Sequence, residues 1–178
     1  QTVSGVPLDA EQMGNAQTVV STTAQRHLPA YAATLALATV AQESTFHNYL
    51  VFKDADSLGL FQQRVSYYTA AVAANPARAT NAFLERLVQV PGWATRPLTD
   101  VIATVQRPRA DLRGAYAKWQ PLAAALTAQL WPRAAATTPL PEATATFPTT
   151  TSVVPATSPI VTSTTRTPAT GPTESRSP

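Results

Sequence analysis

Apolar positions in the first 131 residues recur at helical spacing, and no stretch alternates for long with period two. Asp9 stands ahead of Met13, Ala16, Val19, Val20 and Thr23, a face that predicts a capped helix ending near His27. Pro29 suits the first turn of a second helix, Ala30 to about Ser44, which is apolar all round and therefore central. Asn75-Pro76 starts a third, with Phe83, Leu84, Leu87 and Val88 as its inner stripe and Pro91-Gly92 as its stop. Thr99 is placed to cap a fourth, reaching about Arg107. A fifth covers Asp111 to Trp131 and bends at Pro121. Only Ser57 to Gln62 reads as extended. The expected class is all-α, a helical domain built around one buried central helix.

The pattern stops near Trp131. From Pro132 to Pro178 there are 14 Thr and 9 Pro among 47 residues, without the spacing of a core. Such a stretch cannot offset its ordering entropy, and clustered Thr and Ser beside Pro resembles an O-glycosylated stalk. The expected organisation is a folded domain over 1–131 and a disordered Thr/Pro-rich linker or tail over 132–178.

Composition narrows the functional classes. There is no Cys, which excludes disulfides and thiolate chemistry. The net charge is +3, with eleven Arg against two Lys, but no basic block alternates with aromatics as in a nucleic-acid surface. A weakly basic chain is still drawn to an anionic polymer such as a bacterial wall. The longest apolar run, Tyr31 to Ala41, is too short to span a bilayer. His27 and His47 have no carboxylate partners at metal-ligand spacing, and the polar loop "KDADS" lacks the ligands of a calcium site. No metal and no cofactor are expected, nor is a nucleic-acid partner, and a monomer is.

Glu43 stands out because it closes the uncharged run "YAATLALATVA". At a helix C-terminus the unpaired carbonyls oppose ionisation of a carboxylate, and apolar surroundings push its pKa the same way. A carboxyl kept protonated near neutral pH is what a general acid needs. A Glu that simply emerges into solvent where the helix ends is the plainer alternative. Asp54 and Asp56 follow within thirteen residues; either is a textual candidate for a second carboxylate, and both suit turn formation better. Tyr67, Tyr68 and Trp93 are candidates for stacking on sugar rings, with Trp93 and Trp119 more at home in the core. Arg107, Arg109 and Arg113 form a small basic cluster that is either a solvated face or a contact for peptide carboxylates.

The ordered set "ESTF" at 43–46, "SLGLFQQ" at 57–63, "VQVPGW" at 88–93 and "AYAKW" at 115–119 resembles the lysozyme-like superfamily. The likeness is to lytic transglycosylases and goose-type lysozymes, in a variant found in secreted wall proteins of high-GC Gram-positive bacteria. It spans roughly residues 17–131. That family carries a Glu-Ser pair at the end of a buried helix and a Gly-Leu-Met-Gln segment shortly after, with Phe61 here in place of Met. The resemblance implies a lysozyme-like fold and cleavage of the β-1,4 bond between N-acetylmuramic acid and N-acetylglucosamine, with peptidoglycan glycan strands as partner and a secreted or wall-associated location.

Carried over, Glu43 is the catalytic acid/base. Ser44 follows it as in the family and hydrogen-bonds near the site; His47 borders the groove by its closeness to Glu43. Gly59 lets the backbone pass close to a sugar, Gln62 lines the substrate groove, and Tyr116 is the late Tyr near the catalytic Glu. One departure stands out: the family's Ala-Tyr-Asn-x-Gly segment is missing from "ATVQRPRADLRGAY", where Gln106 offers the available amide. A non-catalytic peptidoglycan-binding or scaffold module is therefore the alternative function.

Overall fold

A computed structural model describes residues 1–52 and 55–138, within a compact unit spanning Gln1–Pro141. Its described residues form six α-helices, one 3₁₀ segment and two short hairpins. The chain opens on a hairpin of β1 (Thr2–Val3) and β2 (Val6–Pro7), turned at Ser4 and Gly5, both with positive φ. Such a two-residue turn matches the twist of antiparallel strands. Strands of two residues are too short to leave an alternating pattern, and the sequence reading passes over them.

Helix α1 (Ala10–Gln25) begins at Asp9, whose carboxylate accepts from the Gln12 amide at 2.8 Å. The Gln12 side chain accepts from the Asp9 amide in return, completing a reciprocal cap. Helix α2 (Ala30–Ser44) has the predicted bounds, and every residue from Ala32 to Ala41 is buried. It packs against α1, against α4 (Pro76–Leu87), and against α6 (Gln120–Thr137). Small residues along α2 let these neighbours approach closely. The hydroxyls it buries are paired: Thr39 donates to the Leu35 carbonyl at 2.9 Å, and Thr34 meets Thr127 of α6 at 3.0 Å.

A second hairpin, β3 (Ser57–Leu58) with β4 (Gln63–Arg64), occupies the stretch expected to be extended, and a short α3 (Ala70–Ala73) follows it. Phe61, in the turn of this hairpin, stacks on Phe83 of α4 with ring centroids 5.0 Å apart. α5 (Leu98–Gln106) starts directly after Pro97, so Thr99 lies inside its first turn rather than capping it.

The predicted fifth helix divides in two. Ala110–Trp119 is wound as 3₁₀, and α6 begins at Gln120 with Pro121 in its first turn, where a missing N–H is harmless. Helix α6 passes the change in composition at Trp131, carries Pro132 inside it and ends at Thr137, with Ala134 buried against the core. The remainder of the Thr/Pro-rich segment, 139–178, lies outside the described residues. No helix among those described is long and apolar enough to cross a membrane.

Candidate active site

Helix α2 ends abruptly. Thr45 adopts φ +48° and donates its amide to the Ala41 carbonyl at 3.2 Å, and the next residue, Phe46, also lies in the left-handed region at φ +63°. Two consecutive non-glycine residues in this region are costly unless their surroundings fix them. Phe46 is held by its buried ring, and α1 grips the turn from the side. Gln12 donates to the Thr45 carbonyl at 2.9 Å, Asn15 to the Phe46 carbonyl at 2.8 Å, and Glu11 accepts from the Asn48 amide at 3.1 Å. The end of α2 is thus clamped on one side, and Glu43 sits half-buried just before it.

Glu43 meets two partners from distant parts of the chain. The Tyr116 hydroxyl, buried in the 3₁₀ segment, donates to Glu43 Oε1 at 2.8 Å. Gln106, the last residue of α5, points its amide nitrogen at the same oxygen at 3.4 Å and at the Phe61 carbonyl at 3.5 Å. These last two contacts are long and weak. Burial raises the Glu43 pKa above its ordinary value, and the bonds from Tyr116 and Gln106 oppose that rise without cancelling it. Burial, with Glu43 beside it, also raises the Tyr116 pKa, so the phenol stays a donor.

The other sequence candidates have different engagements. Ser44, expected to hydrogen-bond near the site, is buried and donates to the Val40 carbonyl one turn back at 3.1 Å. His47 pairs with Glu11 through Nδ1 at 3.1 Å, within the clamp. Gly59 has φ +75°, and a Cβ there would lie 1.8 Å from the Ala73 carbonyl oxygen, so its lack of a side chain is used against α3. Gln62 folds its amide onto the Gly59 carbonyl at 2.8 Å. Of the six site residues named from the sequence, Glu43 and Tyr116 come together; Gln106, noted there as the amide available in place of the family's Asn, joins them.

Asp56 is fully engaged elsewhere. Arg64 reaches its Oδ1 at 2.6 Å and the Ser66 amide its Oδ2 at 2.8 Å, which holds the carboxyl well below the usual carboxylate range. Asp54 lies outside the described residues. Among those described, no group of three or more His, Asp or Glu side chains could hold a metal ion.

Of two clefts in the folded unit, none of Glu43, Gln106 and Tyr116 lines either. One, of about 800 Å³, is lined by Tyr67, Tyr68, Asn81, Glu85, Arg86 and Gln89 among others. Tyr67 is largely exposed there, and the Arg86 guanidinium stands 4.9 Å from the centre of the Tyr68 ring. The second, of about 640 Å³, is lined by Arg96, Asp100, Arg107 and Arg113 among others. Thr104 and Arg107, on either side of Gln106, line both.

No family model matches the chain, and a search of curated proteins finds no match.

Proposed function

We propose that the folded unit is a lysozyme-like, peptidoglycan-cleaving glycosidase of the lytic transglycosylase or muramidase kind, acting on the MurNAc–GlcNAc β-1,4 bond in a secreted or wall-associated protein. One observation carries this reading: Glu43 ends a buried helix in an environment that raises its pKa, with a phenol fixed 2.8 Å from the carboxylate. A carboxyl held in its acid form protonates the glycosidic oxygen as the bond breaks. Tyr116 orients it and then supports the carboxylate left behind. The cleft with Tyr67 and Tyr68 has the aromatic and amide character that sugars require, and Thr104, Val105 and Arg107, at the end of α5 that carries Gln106, line part of it.

The competing reading is a wall-binding module without turnover. Its support is that Glu43 lines neither cleft and that the family's Tyr-Asn segment is replaced by one bearing Gln106. A zymogram on purified peptidoglycan separates the two. Wild type clears the gel, and Glu43→Gln, whose amide has no proton to give, loses about a hundredfold or more of the rate. Clearing by the variant at the wild-type rate removes Glu43 from the mechanism; wall binding without clearing by either protein favours the module.

A further inference from the structure

The 640 Å³ cleft is basic. Arg96, Arg107 and Arg113 line it, with Asp100 as its acid and the hydroxyls of Thr99 and Thr104 beside them. The neighbouring guanidinium of Arg109 closes on Asp111 at 3.3 Å. Arg107 and Arg113 have no ion-pair partner among the described residues, and Asp100 bridges to neither. Arg96 is half-buried, with a weak 3.4 Å bond to the Pro91 carbonyl. Three guanidiniums around one concavity repel each other, and a bound anion relieves that repulsion.

The cleft's position gives the anion a source. Arg107 follows Gln106 and Arg113 lies three residues before Tyr116, the two side chains that meet Glu43. Arg107 also borders the tyrosine-lined cleft. Thr104 and Arg107 line both clefts, so a polymer seated along the tyrosines runs beside the basic cleft and can extend its side branches into it.

We propose that the Arg96–Arg107–Arg113 cleft binds a free carboxylate of the peptide stems carried by the glycan, so that the preferred substrate is stem-bearing rather than bare glycan. This rests on the glycosidase reading for its consequence on turnover, but the binding site itself stands apart from it.

The test has two arms. In the first, a soluble stem peptide is titrated calorimetrically into the full chain, alongside its fully amidated form and inorganic phosphate. Wild type binds the free-acid peptide, loses it in 0.5 M salt (roughly the range where exposed charges are screened), and does not bind the amidated form. Arg107→Gln/Arg113→Gln weakens that binding about tenfold or more, the scale of a charge-assisted contact. Binding of phosphate without the peptide, equal binding of both peptides, or no binding at all overturns the proposal.

In the second arm, kcat/KM is compared on peptidoglycan and on the same glycan stripped of stems by an amidase. Arg113→Gln, at a residue that lines the basic cleft and not the tyrosine-lined one, loses about tenfold on the stem-bearing polymer and nothing on the stripped one. Equal loss on both assigns Arg113 to the sugar chain and overturns the stem assignment. If wild type cuts neither polymer, the glycosidase reading fails, and the titration alone decides the anion site. An unchanged circular dichroism spectrum and melting curve for each variant keep folding out of both comparisons.

Discussion

Glu43 is under two opposed influences, burial raising its pKa and the Tyr116 and Gln106 donors lowering it, with burial the stronger. A folded-state pKa above the ordinary value of 4.5 means that the native protein binds this proton more tightly than the unfolded chain. The associated stability is fully present below pH 4.5 and is lost as pH rises through the raised value. Glu43→Gln removes the ionisation and keeps an acceptor for the Tyr116 hydroxyl. Its melting temperature should exceed that of wild type at pH 7, with the gap closing near pH 4; an equal or lower value at pH 7 contradicts the burial-dominated balance. Tyr116→Phe acts in the opposite sense to the donor it deletes. It raises the Glu43 pKa further, so the alkaline limb of the pH–rate profile moves to higher pH while kcat falls several-fold. An unmoved limb would show that the phenol does not touch the reacting carboxyl.

At the level of elements, the sequence and the structure agree where packing is local and part where it is not. The bounds of α2 are legible because an uncharged apolar run is closed at one end by Pro29 and at the other by a carboxylate. The first hairpin and the 3₁₀ segment are not, since two-residue strands carry no alternation and a 3₁₀ turn shares much of the helical apolar spacing, while the second hairpin is legible only as the extended stretch from Ser57 to Gln62. The partners of Glu43 lie 63 and 73 residues away, beyond any periodicity; Tyr116 and the Gln106 amide were reachable only through comparison with a family pattern. The clamp of α1 on the turn after α2 joins residues 31 to 37 positions apart and was invisible for the same reason. Its worth is measurable. Asn15→Ala leaves the Phe46 carbonyl without its donor beside a strained backbone, which should cost about 1–2 kcal/mol and lower the melting temperature by several degrees. Because that turn fixes the end of α2 that bears Glu43, kcat/KM should fall as well, and full activity in a destabilised variant would confine the clamp to folding.

Across the whole molecule the acidic residues are few enough to follow one by one. The sequence has ten, and seven lie among the described residues. Asp9 caps α1, Glu11 takes His47 and the Asn48 amide, and Asp56 takes Arg64 and the Ser66 amide. Glu85 stands 3.5 Å from Arg26, Asp111 pairs with Arg109, and Asp100 opens α5 beside the basic cleft. Glu43 alone among them accepts from a phenol hydroxyl, and burial raises its pKa. An inverting hydrolase needs a second carboxylate about 6.5–9.5 Å across the cleft to activate water. Asp56 has both carboxylate oxygens engaged in its own hairpin, by Arg64 and the Ser66 amide, while Glu85 and Asp100 line the two clefts that Glu43 does not line. A lytic transglycosylase needs none, because the 6-hydroxyl of the muramoyl sugar attacks its own anomeric carbon while one Glu acts first as acid and then as base. On the proposed glycosidase reading, the released muropeptides should be 1,6-anhydro products, lighter by about 18 mass units than those of an inverting or retaining hydrolase, which mass spectrometry of a digest checks. Asp56→Asn should leave both their mass and their yield unchanged. Hydrated products that disappear in Asp56→Asn or Asp54→Asn would transfer the role of base to that residue and turn the proposed reaction into a hydrolysis.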